Sequence, residues 1–333
     1  MQKRLLGTTP VNPLGFGAMN LVHGYSHFPG ERDAAALLHA ALDAGVDHLD
    51  TATLYGGGRS EELIGTHLAH RRGEYFLASK GGLSIGEGRA MIDGRPATLT
   101  GQIDASLKAL QTEHIDLYYL HRLDPAVPIE ESVGALADAV TAGKIGGIGL
   151  SEVSVATLQR AHAVHPIMAV QNEYSLATRN PELGMLDACA RLGTAFVSFS
   201  PLYRALLTGA LRTIEDLPAG DMRHHMPRFR AENLRANLAL VDAFGTLATS
   251  LETTPAALAL AWVLAQGEHV HVIPGTTSAP HLTENMGAAD LVLDAAALAA
   301  ADALINQDTI AGRRYSSHQF RSIDSEDFDV VIH

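Results

Sequence analysis

The sequence predicts a single α/β domain spanning 1–333, folded as one (β/α)8 TIM barrel with a short N-terminal cap. Three observations lead there. Short apolar runs alternate with longer helical patterns about eight times, the signature of parallel strands joined by helical crossovers. Neither G-x-G-x-x-G nor G-x-x-x-x-G-K-[ST] occurs, which removes the main argument for an open doubly wound sheet. No shift in composition marks a linker, and 333 residues suit one large barrel.

The elements follow in order. The opening "MQKRLLGTTPVN" is charged early, broken by Pro10, and lacks the apolar core of a signal peptide; it is the expected cap. Strand "LGFGAM" (14–19) precedes a helix in "ERDAAALLHAALDAG", which has acids at its start and Gly45 at its end. Strand "VDHLD" (46–50) precedes "SEELIGTHLAH", where Ser60 is the expected cap. Strand "YFLASK" (75–80) is followed by "TLTGQIDASLKAL", with apolar residues at helical spacing. Strand "IDLYYLH" (115–121) leads to "PIEESVGALADAVTAG", with Pro128 early and Gly143 late. Strands "IGGIGLS" (145–151) and "IMAVQN" (167–172) come next, then a helix in "NPELGMLDACARLG" closed by Gly193. Strand "AFVSFS" (195–200) precedes two helical patterns, "ENLRANLALVDAFGTLATSL" and "TPAALALAWVLAQG". The eighth strand is "VHVIPG" (270–275), and "DAAALAAADALI" (294–305) is a final helix.

Charge and cysteine narrow the function. With 37 acidic against 24 basic residues, the net charge of −13 argues against nucleic acid or an anionic membrane as partner. No run of about 18 apolar residues is present to span a bilayer. The single cysteine, Cys189, rules out a disulfide framework, so a reducing cytoplasm is the simplest compartment, and Cys189 reads as a core residue on a helix. A small molecule is the expected partner, with the oligomeric state open.

Chemistry in such a barrel sits at the carboxyl ends of the strands. Those ends read Asp50, Lys80, His121, Ser151, Gln171 with Asn172, and Ser200, each closing an apolar run. Taken singly, a lysine could emerge into solvent, a histidine fill the core and a serine cap a helix. Their convergence on one rim is the stronger signal. Tyr55 follows Asp50 by five residues and precedes three glycines. An ammonium beside a phenol should lower a pKa that is ordinarily about 10, and a carboxylate would keep that lysine charged. Such a phenol could protonate a developing alkoxide, as carbonyl reduction by hydride requires.

These residues resemble the aldo/keto reductases. "LDTATLYGGGRSEELIG", "FLASKGG" and "DLYYLHRLDP" are similar to the family's aspartate–tyrosine, lysine and histidine segments. "GKIGGIGLSE", "VQNEYSL", "SFSPLYRALLTG" and "VIPGTTSAPHLTEN" match later ones, in order, from about residue 5 to about 315. The resemblance implies Tyr55 as general acid/base, Lys80 as its partner, Asp50 as the lysine's counter-ion and His121 orienting the carbonyl. It implies a nicotinamide cofactor whose carboxamide is held by Ser151 with Asn172 or Gln171. Gly17, Met19 and Asp50 would border it too. Ser200, Leu202, Tyr203 and Arg204, together with Gly275, Thr276, Thr277, Ser278, His281, Glu284 and Asn285, would wrap the pyrophosphate and adenosine.

Relatives commonly carry basic residues where Thr277 and His281 stand, gripping the 2′-phosphate of NADP. NADP (NADPH) is the expected cofactor, with NAD the alternative. Tyr203, at a position often occupied by glycine, is expected over the pyrophosphate or at the entrance. The activity implied is NAD(P)H-dependent reduction of an aldehyde or ketone, or its reverse. The alternatives are an NAD-dependent dehydrogenase acting mainly in oxidation and a cofactor-binding regulatory subunit with little turnover.

Two loops are expected to reach the mouth. Residues 19–31 carry His23, Tyr25, His27 and Phe28; residues 218–232 carry Arg223, His224, His225, Arg228, Phe229 and Arg230. His224 and His225 point in different directions without further ligands nearby, so no metal site is expected. Trp262 and the alternating His269 and His271 read as structural. The tail "HQFRSIDSEDFDVVIH" is expected over the mouth or against another subunit.

Overall fold

A computed structural model describes residues 2–25, 28–86 and 89–328; His27 and the last five residues of the tail lie outside the described residues. Eight strands form the sheet: β1 (Phe16–Gly17), β2 (His48–Asp50), β3 (Phe76–Gly81), β4 (Leu117–Leu120), β5 (Ile148–Ser151), β6 (Ile167–Glu173), β7 (Ala195–Phe199) and β8 (Val270–Val272). Every neighbouring pair is parallel and follows chain order. A parallel bridge from Leu14 to Val272 joins the ends of the sheet. Gly15 N–H donates to Val272 O at 2.8 Å and Val272 N–H to Pro13 O at 2.8 Å. The barrel is closed, as the sequence predicts.

Helices α1 (Glu31–Asp43), α2 (Arg59–Leu68), α3 (Pro96–Ala109), α4 (Ile129–Thr141), α5 (Val155–Val164) and α6 (Met185–Leu192) follow the first six strands. β7 is followed by α7 (Ala231–Ser250) and α8 (Pro255–Leu264), and β8 by α9 (Ala279–Gly287) and α10 (Ala295–Leu304). All residues from Ala256 to Leu264 are buried, because α8 fills the ring around the barrel instead of facing water. Trp262 belongs there, under the Arg179 guanidinium at 4.4 Å. Cys189 is fully buried on α6 and burial pushes its thiol up to about 12, the core role expected for it.

Two local expectations fail. Ser60 does not cap α2; Gly58, in a left-handed conformation, precedes the helix, and Ser60 is buried in the first turn, where its hydroxyl accepts from Thr51 Oγ1 at 2.8 Å. "NPEL" forms its own 3-10 turn, and Gly184 at φ 123° separates it from α6.

The cap is an antiparallel hairpin, Arg4–Leu6 with Thr9–Val11. Leu6 and Val11 join Phe76, Leu117, Ala169 and Ala195 in one apolar cluster, closing the bottom of the barrel. Arg4 Nη1 donates to Gly267 O at 2.9 Å and Val270 O at 2.6 Å, tying hairpin to last strand. Because side chains alternate along a strand, the inward positions above this plug carry His48 and Asp50 on β2, Lys80 on β3, Tyr119 on β4 and His271 on β8. Among the described residues, no single helix is long and apolar enough to cross a membrane.

Candidate active site

Asp50 ends β2 and Lys80 lies on the adjoining β3, so the barrel itself sets their separation. Both are buried, and the Lys80 ammonium is paired with Asp50 Oδ1. It also donates to Thr51 O at 2.9 Å and to the Tyr55 hydroxyl at 3.3 Å. Gly56, Gly57 and Gly58 follow Tyr55 with φ of 62°, 65° and 94°, a run of left-handed residues that side chains would strain. These glycines turn the chain sharply enough to keep the phenol aimed inward. The His121 ring meets the Tyr55 ring edge-on at 5.8 Å, and His23 stacks on it at 5.9 Å. Sequence reading named all four members of this cluster, and the structure brings them together.

The electrostatics depart from one expectation. Burial acts to lower the Lys80 ammonium, but Asp50 and Tyr55 overcome it and leave it above the ordinary lysine range. Burial pushes the Asp50 carboxyl up against the pull of Lys80 and Gln171. Tyr55 is also pushed up by burial, and the opposing ammonium offsets only part of the shift. The phenol is not acidified in the free cavity: it stays protonated. His121 is held well below its usual value by burial, with Arg122, Lys80 and His23 adding to the effect, so its imidazole is neutral.

A cavity of about 800 Å³ opens above this cluster. Asp50, Tyr55, His121, Ser151 and Gln171 line one end; Thr276, Thr277, His281, Glu284 and Asn285 line the other. Gly17, Met19, Ser200, Leu202, Arg204 and Gly275 also face it. Lys80 lies beneath the lining, and three of the expected cofactor-binding residues do not face the cavity. Asn172 lies behind the wall and donates from Nδ2 to Val153 O at 3.2 Å. Ser278 occupies the N-cap position of α9, its N–H donating to Thr276 Oγ1 at 3.1 Å. Tyr203 turns away from the cavity, stacked on Phe229 at 5.9 Å with Arg228 over its ring at 4.8 Å. It neither covers a pyrophosphate nor narrows the entrance, because Phe229 and Arg228 offer the ring a buried slot.

The loops sort similarly. His23, Tyr25 and Arg223 line the cavity; His224, His225 and Arg230 are exposed, and Phe28 lies in a separate shallow groove. Arg228 is structural, donating to Gly312 O at 2.9 Å and Thr178 Oγ1 at 3.1 Å. Among the described residues no cluster of histidine, cysteine and carboxylates suits a metal.

The C-terminal segment from Arg313 to Phe328 crosses the mouth, and Tyr315, Gln319, Ser322 and Ile323 join the lining. Buried charges hold it. Arg314 Nη2 pairs with Glu152 at 3.2 Å, and Tyr315 donates to Glu173 Oε2 at 2.6 Å. Arg204 Nη2 reaches the same Glu173 oxygen at 2.8 Å and Tyr315 at 2.9 Å. Sequence reading missed Arg122 and Tyr315 in the lining; it placed Asn20 and Gln319 only as parts of a loop and a tail expected at the mouth, without naming them. Only Arg122 gave a usable signal, directly after His121 at a strand end.

The lining fits a nicotinamide dinucleotide. Gln171 Nε2 is engaged with Asp50 at 2.7 Å and Ser151 Oγ accepts from Arg122 at 3.0 Å, leaving Gln171 Oε1 and the Ser151 proton for a carboxamide. The N-terminus of α9 and the Thr276 and Thr277 hydroxyls suit phosphate at the far end. Among the described residues, no arginine or lysine lines the Thr277–Asn285 stretch.

Comparison with known proteins agrees with this arrangement. The family model described as "Aldo/keto reductase family" matches residues 13–306. The aldo-keto reductase yakc of Schizosaccharomyces pombe, whose name specifies NADP(+), is 40% identical over 319 residues, covering 94% of each chain. A probable aldo-keto reductase 1 from Glycine max is 41% identical over 307 residues, covering 92% of this chain and 88% of its own. Among solved structures, glycerol dehydrogenase AKR11B4 from Gluconobacter oxydans superposes with TM-score 0.84 at 27% identity, covering 100% and 99% of the two chains. Aldo-keto reductase AKR11C1 from Bacillus halodurans gives 0.77 at 27% identity, covering 96% and 99%.

Proposed function

The chain belongs to the aldo/keto reductase family, and from that premise we propose that it is an NADP(H)-dependent oxidoreductase that reduces an aldehyde or ketone to the alcohol, or runs the reverse. The observation that carries the proposal is the Lys80 ammonium, which bonds Asp50 and the Tyr55 hydroxyl together. NADP is supported by the name of the relative in Schizosaccharomyces pombe, and by the phosphate donors at the start of α9.

When bound, the nicotinamide supplies the hydride; this chain supplies position and a proton. Ser151 and Gln171 would hold its carboxamide. Neutral His121 orients the carbonyl oxygen toward Tyr55 and cannot itself serve as a cationic acid at neutral pH. Tyr55 donates its proton to the oxygen as negative charge develops there, and the Lys80 ammonium at 3.3 Å compensates the phenolate left behind. Asp50 keeps that ammonium charged and in place. In the oxidative direction the same phenolate takes the proton from the alcohol. Cofactor absorbance followed over a carbonyl panel tests the reading. Tyr55→Phe should lose about 10²–10⁴-fold in kcat, and equal rates would remove Tyr55 from the chemistry.

A second reading, an NAD-linked dehydrogenase, draws on Thr277, His281 and Glu284. Glu284 lines the adenosine end, where a carboxylate suits ribose hydroxyls better than a phosphate. Dissociation constants for NADPH and NADH separate the two. A preference for NADPH above about tenfold, about 1.4 kcal/mol, rejects the second.

A further inference from the structure

We propose that Arg122 is an anion-recognition residue and that the preferred substrates are carbonyl compounds bearing a carboxylate. This inference rests on the reductase reading and names its substrate class. Among the described residues the cavity lining carries three arginines. Arg204 is spent on Glu173 at 2.8 Å, and Arg223 on Asp221 at 2.8 Å. Arg122 has no carboxylate within ion-pair distance among the described residues.

Nor is it a loose surface arginine. Nη1 donates to His121 O at 2.7 Å and to Ser151 Oγ at 3.0 Å, pinning the half-buried guanidinium beside the residues that meet the carbonyl and the nicotinamide. Nη2 and Nε have no hydrogen-bond partner among the described residues, and neither is a sealed orphan atom. One edge of the fork is fixed by protein and the other is left to the cavity.

Among the described residues no carboxylate of the lining pairs with this guanidinium; Glu152, buried behind the wall, feels its charge but is ion-paired with Arg314 at 3.2 Å. Asp50 is engaged by Lys80 and Asp221 by Arg223. Glu284 sits on α9 with His281 and Asn285, at the end lined by the adenosine-side residues. A planar, half-buried guanidinium with a free edge matches a carboxylate through charge-assisted hydrogen bonds, and it discriminates against a neutral group that would leave it unpaired. Because the chain carries a net charge of −13, long-range attraction does not favour an anion; the preference has to arise inside the cavity.

Paired aldehydes that differ by one carboxylate test this: benzaldehyde against 3- and 4-carboxybenzaldehyde, and butanal against succinic semialdehyde. The expected result for the wild type is a kcat/KM at least tenfold higher for a carboxylated member, carried mainly by KM and weakened by salt. In Arg122→Met the ratio within the pair should fall to about one, and Arg122→Lys should keep part of it. The ratio reads recognition even if the variant loses overall rate through Ser151, and a thermal melt confirms folding. Two results overturn the inference alone: turnover without a carboxylate preference, or a preference that survives in Arg122→Met. Failure to turn over any aldehyde overturns the reductase reading and this inference with it.

Discussion

Gln171 Nε2 donates to Asp50 Oδ2 at 2.7 Å, while Asp50 Oδ1 holds Lys80, so the buried carboxylate is fixed from both sides. A residue expected to serve the cofactor therefore also orients the counter-ion of the Lys80 ammonium beneath Tyr55. Gln171, Asp50, Lys80 and Tyr55 share one hydrogen-bond chain, and the first prediction concerns its two charged members.

Asp50→Asn and Lys80→Met should behave differently. Removing the carboxylate strands an ammonium in a sealed site, a loss of about 3–5 kcal/mol measurable by urea unfolding. Removing the lysine leaves a carboxyl that burial already pushes up, so it takes a proton and stability falls less. Both variants should lose at least about 10²-fold in kcat. Equal stability losses would show that the pair is not organised as described.

The pH profile follows from Tyr55 and His121. Reduction needs a protonated phenol, and burial raises its pKa, so the competent form persists to higher pH than for an ordinary tyrosine. Rate should be lost only as pH rises through that raised value, above about 10. His121, depressed well below its usual value, should add no limb near neutrality. A break in kcat/KM for reduction near pH 7, in a stable enzyme, would contradict both assignments.

Acid sensitivity should come from the barrel interior. Burial lowers His48 to about 4 and His271 to about 3, and neither ring nitrogen of His48 has a partner among the described residues. Below about pH 6.5 the unfolded chain binds protons that these rings refuse, so stability is lost as pH falls from there toward the folded values. Each unit of depression is worth about 1.4 kcal/mol, giving a loss of several kcal/mol by pH 4. Chemical denaturation across this range should show it, and His48→Leu should flatten the curve. An unchanged slope in that variant would exclude His48 as the source.

The segment across the mouth should loosen when its buried charge is removed. Arg204→Ala leaves Glu173 with the Tyr315 and Thr178 hydroxyls but without its paired cation, at a cost of about 3–5 kcal/mol. Tyr315→Phe removes one hydrogen bond to a charged acceptor, about 1.5–3 kcal/mol. Limited proteolysis between 312 and 328 should accelerate in both, more in the first. Cleavage at the wild-type rate would mean that the segment is held elsewhere.

His281→Arg supplies a charge the adenosine end lacks. One charge-assisted pair, about 1.5–3 kcal/mol, should tighten NADPH by about 10–100-fold with little change for NADH. Fluorescence titration with both nucleotides reads the ratio, and parallel gains for the two would show that the side chain does not reach the 2′ position.

Much of this was legible in the sequence for a physical reason. A buried strand tolerates polar residues only where it emerges at the mouth, so Asp50, Lys80, His121, Ser151 and Gln171 announced themselves by ending apolar runs. Long-range packing was less visible. Tyr203 looked like a cavity residue because nothing local reveals Phe229 and Arg228 waiting behind it. The Ser60 cap failed because the preceding glycines already set the helix entry. Residues 313–328 carry no periodicity; they are placed by partners such as Glu152 and Glu173, more than a hundred positions away. The Tyr55 shift was misjudged because neighbouring charge can be read from spacing, whereas the depth of burial cannot.

The hairpin beneath the barrel sets a timetable for folding. Arg4 finds its acceptors at Gly267 and Val270, so the two ends of the ring are among the most widely separated partners in the chain. On the ribosome the first strand must wait, unsealed and with apolar faces unsatisfied, until roughly four-fifths of the polypeptide has emerged, and such late, non-local closure slows folding and favours aggregation. Expression at reduced temperature or with added chaperone should therefore raise the soluble yield, and chains truncated before Val270 should be recovered chiefly as aggregate.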